Sequence, residues 1–349
     1  MKLKDLKDKI AAEKQQLQRN SELFFKATLQ DLSSKKVDRS TQWVKVASFP
    51  MAELQKYTSR TPVNDKVGPP LLMCFALINS PDILSLDEKH SLTQKLIESG
   101  YTIYRIQWHA PNVRYNQFTL DDYVLGGIKP CVQWLANRHA CKVQFLGVCQ
   151  GGVLAMLATA YMQNYIASLC LMVTPMSTPH SKHLLIDTAR QLKSFFLTND
   201  VGVIPHRWLL RYFLALRPMR QKVAKYLHAI KSEDMPFFVA MEEWIYQGPD
   251  VSVSFLMEYI EKFYVENLLV RNEVKLNGQP IDLRRIQCPV LNIYGKHDHI
   301  VPPRSSRAMR HLFESSFYKE VEFNKGHIGL LIDKKITQKI ANMLKERII

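Results

Sequence analysis

The sequence predicts an α/β fold with a mostly parallel β-sheet, helices on both faces and an inserted helical cap. Short apolar runs of strand length alternate with helical patterns over residues 71–174 and again over residues 289–347. Alternation of this kind is typical of parallel strands joined by helical crossovers. Between the two blocks, residues 175–286 have a nearly continuous helical pattern without convincing strands, which indicates an insertion into a single α/β core.

The predicted elements follow one another along the chain. The predicted strands are residues 43–49, 71–78, 101–107, 142–147, 167–174, 289–295 and 318–323. The predicted helices are residues 1–36, 87–99, 151–164, 303–313 and 334–347, with one more that Thr119 caps. Residues 58–70 contain three prolines and predict a linker. The chain is thus predicted to have four parts: an N-terminal helical arm and strand (residues 1–60), a first core part (residues 61–174), a helical cap (residues 175–286) and a second core part (residues 287–349).

The composition excludes several classes of protein. The 349 residues are 46% hydrophobic and 23% charged, which is ordinary globular composition and argues against a disordered or fibrous chain. No apolar run reaches the roughly 18 residues of a transmembrane helix, and the N-terminus has no pattern of a secretory signal. The six cysteines form no CxxC pair, so we expect a reducing, cytoplasmic location.

The charge of the chain is strongly positive. The 47 Lys and Arg against 32 Asp and Glu give a net charge of +15, which favours anionic partners. Residues 181–232, within the predicted cap, hold ten Lys and Arg against two Asp and Glu. This segment is interpreted either as solvated faces of amphipathic helices or as a lid that attracts a phosphate-bearing substrate. No nucleic-acid-binding module or phosphate-binding glycine loop is recognisable, so nucleic acid is not an expected partner.

Residues 147–151, Gly-Val-Cys-Gln-Gly, have the G-x-nucleophile-x-G form of a nucleophile elbow. They follow a predicted strand and precede a predicted helix, where such a turn exposes the central side chain. Cys149 occupies the nucleophile position, at a helix N-terminus whose dipole favours a thiolate. The alternative is a buried structural cysteine at a tight turn.

An acid and a histidine follow Cys149 in the order that such a fold requires. Asp298 lies just after the predicted strand 289–295, and His327 lies just after the predicted strand 318–323. His327 is therefore the candidate base for the Cys149 thiol, and Asp298 is its candidate orienting partner.

Other titratable residues fit the pattern less well. Asp282 and Asp333 are competing acids, but neither directly follows a predicted strand. His297 and His299 flank Asp298 without further ligands nearby in the sequence, so a metal site is not expected.

Further motifs extend the pattern through most of the chain. They are FALINSP at 75–81, GVCQGG at 147–152, MVTP at 172–175, MEEWI at 241–245, CPVLNIY at 288–294, DHIVPP at 298–303 and GHIG at 326–329. Together these motifs resemble the polyhydroxyalkanoate synthases of the short, two-subunit type, which have the α/β-hydrolase fold. The resemblance runs from about residue 70 to the C-terminus. In that family the residues that match Cys149, Asp298 and His327 are catalytic.

The resemblance implies polymerisation of 3-hydroxyacyl-CoA into a growing polyester chain with release of CoA, through a thioester on Cys149. No cofactor is then expected, since the CoA thioester is the substrate. The oxyanion is expected to be held by the backbone N–H of Gln150 and by one from the loop after the first core strand, at Ile78 or the next residue.

The resemblance also implies a second, helical synthase subunit and a location at the surface of polyester granules; a homodimer is a further expectation. Two alternative functions remain open. One is a cysteine-dependent hydrolase, such as a thioesterase or a dienelactone-hydrolase-like enzyme. The other is a non-catalytic granule-binding relative that uses the basic surface.

Overall fold

The computed structural model describes residues 41–59, 69–87, 89–111, 118–177, 202–215, 235–246, 248–315 and 317–346. The predicted helix at residues 1–36 lies outside these ranges, as does most of the basic segment 181–232. Within the described ranges, no helix has both the length and the apolar character of a membrane span.

Among the described residues, strands and helices alternate in two blocks, residues 70–172 and residues 290–345. The strands are β1 (Thr41–Ser48), β2 (Ala52–Ser59), β3 (Pro70–Cys74), β4 (Thr102–Trp108), β5 (Val143–Val148), β6 (Ile166–Met172), β7 (Val203–Ile204), β8 (Val251–Ser252), β9 (Lys275–Leu276), β10 (Gln279–Pro280), β11 (Val290–Gly295) and β12 (Tyr318–Phe323). The α-helices are α1 (Leu92–Glu98), α2 (Lys129–His139), α3 (Gln150–Tyr161), α4 (His206–Ala215), α5 (Met235–Tyr246), α6 (Val253–Ile260), α7 (Leu268–Arg271), α8 (Pro303–Arg307), α9 (His327–Ile332) and α10 (Lys334–Lys345). Short 3₁₀-helices span Pro81–Leu84, Gln163–Tyr165, Leu283–Arg285 and Ala308–His311, and π-helical turns span Asp122–Ile128 and Glu261–Val265.

One eight-stranded sheet forms the centre of the fold, in the order β1-β2-β4-β3-β5-β6-β11-β12. β2 runs antiparallel to both of its neighbours, and the pairs from β4 to β12 are parallel. Every residue of β3 and β11 is buried, as expected for strands covered on both faces. The prediction of a mostly parallel sheet with helices is confirmed.

The structure differs from the prediction at three places that have physical explanations. β2 was not predicted, because its buried apolar residues Ala52, Leu54 and Tyr57 break strict alternation. The predicted cap contains two short antiparallel pairs, β7 with β8 and β9 with β10, and strands of two residues leave no periodic signal. Residues 75–78 were predicted to extend a strand, but β3 ends at Cys74 and the chain continues as a loop.

The parallel strands place the candidate residues at one edge of the sheet. Cys149 follows β5, Asp298 lies three residues after β11, and His327 lies four residues after β12. β11 and β12 end in register, since Gly295 pairs with Phe323. Because the carboxyl ends of parallel strands meet at one edge, the topology brings the three side chains together.

Candidate active site

Cys149 stands at a strained turn between β5 and α3. Its backbone has φ 53° and ψ −125°, a conformation that non-glycine residues rarely adopt. Hydrogen bonds on both sides hold it there: the Cys149 N–H donates to the Met172 carbonyl at 2.8 Å, and the Cys149 carbonyl accepts from the Gly152 N–H at 2.9 Å. Backbone strain that the surrounding structure fixes in this way is typical of functional sites.

The glycines beside Cys149 allow this turn to pack against its neighbours. A Cβ at Gly147 would lie 2.5 Å from the Gly152 Cα, and a Cβ at Gly151 would lie 2.3 Å from the Cys74 carbonyl oxygen. Both contacts are with backbone, which cannot move aside as a flexible side chain can. The two glycines of the motif are therefore required by the close approach of α3 to β3 and β5.

We expect Gly151→Ala to shift α3 away from β3 and to displace Cys149. The overpacking should lower the free energy of unfolding by about 1–3 kcal/mol and reduce CoA release more than that loss of folded protein explains. Gly329→Ala is the matched control, because a Cβ there meets only the Lys325 side chain at an ordinary 3.7 Å. Thermal unfolding and CoA release from both variants test this, and equal behaviour of the two would contradict it.

His327 and Asp298 form a buried hydrogen-bonded pair. The His327 Nδ1 lies 2.7 Å from the Asp298 Oδ2, and the side chains are only 9% and 0% exposed. The other Asp298 oxygen accepts the backbone N–H groups of Ile300 and Val301 at 2.9 and 2.8 Å. These bonds fix the carboxylate, which in turn orients the imidazole so that Nε2 is the ring nitrogen not bonded to Asp298.

The pKa of His327 is raised to about 10, although burial alone lowers it. The negative charge of a Cys149 thiolate, hydrogen bonds with Asp298 and Cys149, and the Asp298 charge together outweigh burial. The ring is therefore close to Cys149 as well as to Asp298, and the protonated imidazole is favoured beside a thiolate.

We expect the pKa of His327 to fall in the Cys149→Ala variant. The alanine removes the thiolate charge and its hydrogen bond, both of which raise the pKa, while the burial that lowers it stays. NMR titration of the His327 ring in the two proteins measures the difference. A pKa that remains at about 10 in the variant would show that Cys149 does not act on this histidine.

The environment of Cys149 differs from that of most other cysteines in the described chain. Cys149 is partly exposed, whereas Cys74, Cys131, Cys170 and Cys288 are buried. Burial raises the pKa of Cys131 and of Cys288 to about 12, which keeps both thiols protonated and unreactive at neutral pH. Cys141 is exposed but lies at the start of β5, at the opposite end of that strand from Cys149.

The loop of residues 75–80, called here the β3 loop, faces Cys149 from the neighbouring strand. The Leu77 N–H donates to the Gln150 side-chain Oε1 at 2.9 Å, which ties the loop to the first residue of α3. The N–H of Gln150 is the first of its helix and has no partner within it. Since the Leu77 N–H is occupied in this bond, the oxyanion role expected of the next amide along the loop, Ile78, stays a prediction. No local sequence pattern indicates this side-chain bond.

Tyr259, on α6, is a residue near the site that sequence analysis did not identify. Its side chain is buried, and within the described ranges its hydroxyl has no hydrogen-bond partner. Burial raises the pKa of Tyr259 well above its usual value, and the charges of Tyr264 and Cys149 raise it further. The phenol is thus a neutral group within electrostatic range of the Cys149 sulfur. No local motif marks it, since its position depends on how α6 packs against the rest of the fold.

The competing residues lie apart from this centre. Asp282 binds Arg284 and Asn272, and Asp333 caps α10 by accepting the N–H groups of Lys335 and Ile336. His297 lies at the surface against Asn324. Among the residues that the structure describes, no cluster of three or more His, Cys, Asp or Glu side chains has the arrangement of a metal site.

Comparison with known proteins places the chain in a family. A family described as the alpha/beta hydrolase fold matches residues 140–334. The poly(3-hydroxyalkanoate) polymerase subunit PhaC of Allochromatium vinosum is 35% identical over 80% of this chain and 81% of its own length. The protein of the same name from Thiocystis violacea is 33% identical with the same coverage, and that from Synechocystis is 30% identical over 83% of this chain and 81% of its own.

Solved structures support the fold. A putative non-heme bromoperoxidase of Mycobacterium tuberculosis has a TM-score of 0.55 at 13% identity, covering 88% of this chain and 99% of that one. The enol-lactonase of Burkholderia xenovorans has a TM-score of 0.53 at 14% identity, covering 87% and 99%. Identities this low support the fold alone, whereas the relatives of 30–35% identity support membership of the family. The chain belongs to the poly(3-hydroxyalkanoate) polymerase family, which is built here on the α/β-hydrolase fold.

Proposed function

We propose that this protein polymerises 3-hydroxyacyl-CoA into a polyester and releases CoA, with Cys149 as the covalent nucleophile, His327 as its base and Asp298 as the residue that orients His327. The observation that carries the proposal is a cysteine, in place of the more common serine, at a strained elbow beside a buried His–Asp pair. The relatives named as poly(3-hydroxyalkanoate) polymerases supply the substrate class.

The first step transfers the acyl group to the enzyme. The Cys149 sulfur attacks the carbonyl carbon of the CoA thioester after His327 has taken the thiol proton. The oxyanion accepts hydrogen bonds from the backbone N–H groups of Gln150 and Ile78. The C–S bond to CoA then breaks, and the departing CoA sulfur takes the proton from His327. One thioester replaces another, so this step is nearly balanced in energy and leaves a reactive acyl-enzyme.

The second step lengthens the chain. The 3-hydroxyl oxygen of another acyl unit attacks the acyl carbon on Cys149, an ester bond forms, and the Cys149 sulfur leaves. The hydroxyl proton must pass to a base, which is either His327 or Asp298. Water would release a free acid in place of polymer, so the site must exclude it. Buried apolar residues of α5, including Met241 and Ile245, pack in the same cluster as Cys149 and supply such an environment.

We expect Asp298→Asn to reduce acylation by roughly 10²-fold or more, because an amide facing Nδ1 presents an N–H and no longer favours the imidazolium. If Asp298 also helps to deprotonate the incoming hydroxyl, chain growth should fall at least as much. Single-turnover CoA release measures acylation, and steady-state polymer yield measures growth. Asp333→Asn is the control, since this carboxylate caps α10 away from the site. Normal polymer from Asp298→Asn would remove Asp298 from the mechanism.

One assay separates the proposal from its two alternatives. Purified protein is incubated with 3-hydroxybutyryl-CoA, and both free CoA and turbidity are followed. A polymerase gives CoA and insoluble polyester, a thioesterase-like or dienelactone-hydrolase-like enzyme gives CoA and soluble acid, and a non-catalytic granule-binding protein gives neither. We expect the first result.

The proposal includes a partner and a location. The resemblance to two-subunit synthases supports a second, helical subunit, and the net charge of +15 supports contact with an anionic surface or partner. We therefore propose assembly with that subunit at the surface of cytoplasmic polyester granules, with a homodimer as a further possible assembly. Co-purification of a second polypeptide with granule-bound protein tests this.

A further inference from the structure

The β3 loop is held at several points along its length. Near its start, the Phe75 carbonyl accepts the Trp108 indole N–H at 3.2 Å, and the Leu77 N–H bonds Gln150 as described above. At its end, the Ser80 carbonyl accepts the indole N–H of Trp244 at 2.7 Å. Trp244 lies on α5, in the insertion, 164 residues further along the chain. The loop that carries the Ile78 amide is thus bonded to the core at one end and to the insertion at the other.

An ion pair between Arg105 and Asp82, whose side chain is 36% exposed, fixes Ser80 from the side of the sheet. The Ser80 hydroxyl donates to Asp82 Oδ2 at 2.8 Å, and Asp82 Oδ1 accepts from Arg105 at 2.7 Å. Arg105 is 8% exposed, its Nε donates to Gln55 at 2.9 Å, and its guanidinium lies 4.3 Å from the ring centroid of Trp43. Here the pair gives Ser80 a fixed position.

Trp244, in the insertion, binds the carbonyl of this fixed Ser80. Its side chain is only 7% exposed and packs in the same buried cluster as Phe75 and Ala76, at the start of the β3 loop. A second contact also joins α5 to the core: the ring centroids of Phe237 and His90 are 3.9 Å apart. The Trp244 N–H therefore links the packing of α5 against the core to the position of the β3 loop.

We propose that Trp244 is a positioning residue for acylation: its indole N–H, by holding the Ser80 carbonyl, sets the β3 loop so that the Ile78 amide can stabilise the oxyanion. The placement of α5 then controls the rate at which Cys149 is acylated. This inference rests on the proposed function for the identity of the reacting thioester. A displacement of about 1 Å in a group of this kind is enough to lower a rate by roughly 10²-fold.

Two reactions of the same sulfur test the role of Trp244. Acylation by 3-hydroxybutyryl-CoA forms an oxyanion, whereas alkylation by iodoacetamide displaces iodide and forms none. The Trp244→Phe variant keeps an aromatic ring and removes the N–H. We expect single-turnover acylation to fall about tenfold or more, with the KM little changed, while the alkylation rate of Cys149 stays within about twofold of wild type. Trp134→Phe, on α2 beside Tyr104, is the control and should change neither rate.

Each other outcome overturns the inference. Equal losses in both reactions would mean that Trp244 acts on the nucleophile or on the fold as a whole, and no loss in either would mean that its N–H is not used. If Trp244→Phe does not fold, Asp82→Asn loosens Ser80 from the opposite side and should give the same selective loss. Wild-type protein that releases CoA without forming polymer would contradict the proposed function, yet the comparison of acylation with alkylation would still decide the role of Trp244.

Discussion

Cys149→Ala should release no CoA above background from a 3-hydroxyacyl-CoA and should still fold. The substitution removes the sulfur that attacks the thioester, and no other described thiol combines exposure with a histidine partner. The side chain is partly exposed, so its loss leaves no buried cavity in the core. CoA release, followed with a thiol reagent, and thermal unfolding of the same samples measure the two expectations.

The buried cysteines provide the controls for this variant. Cys74→Ala and Cys170→Ala should each keep CoA release and lower the free energy of unfolding by about 1 kcal/mol, since both thiols are core residues. More than a few per cent of wild-type activity in Cys149→Ala would show that the elbow cysteine is not the nucleophile.

His327→Gln should slow acylation by roughly 10²–10⁴-fold, the range expected when a general base is removed. Glutamine can bond Asp298 but cannot take the thiol proton, so the base-assisted attack of Cys149 is lost. Raising the pH should partly restore acylation, because hydroxide then removes the proton. Single-turnover CoA release across a pH series measures both effects.

A histidine outside the site is the control for His327. His139, at the end of α2, bonds the Tyr104 hydroxyl at 2.9 Å, and His139→Gln should leave acylation and its pH profile unchanged. If His327→Gln acylated at the wild-type rate, the proton would have to leave Cys149 by another route, and the assignment of the base would be wrong.

The strands that line the site could be predicted because strand and helix patterns alternate on both sides of the 175–286 segment. β12 was predicted at its observed residues, and β11 within one residue. The order and spacing of Cys149, Asp298 and His327 relative to those strands was enough to select them, since a parallel sheet fixes which loops meet. The alternation of β2 was too irregular for the same reasoning.

Contacts between distant segments could not be predicted from the sequence. The bond between Gln150 and Leu77 spans 73 residues, and the bond between Trp244 and Ser80 spans 164. Neither hydrogen bond leaves a local sequence pattern, because each depends on how α3 or α5 packs against the β3 loop. Tyr259 is a similar case: its proximity to Cys149 follows only from the packing of α6.

Peptide mapping of the acyl-enzyme tests directly whether Cys149 carries the growing polyester chain. Protein is mixed with labelled 3-hydroxybutyryl-CoA, quenched in acid before the substrate is exhausted, digested and analysed by mass spectrometry. We expect label on the peptide that contains Cys149, as a hydroxylamine-sensitive thioester carrying one and then several hydroxybutyryl units. Label on another residue, or a single unit that is released only as free acid, would contradict it.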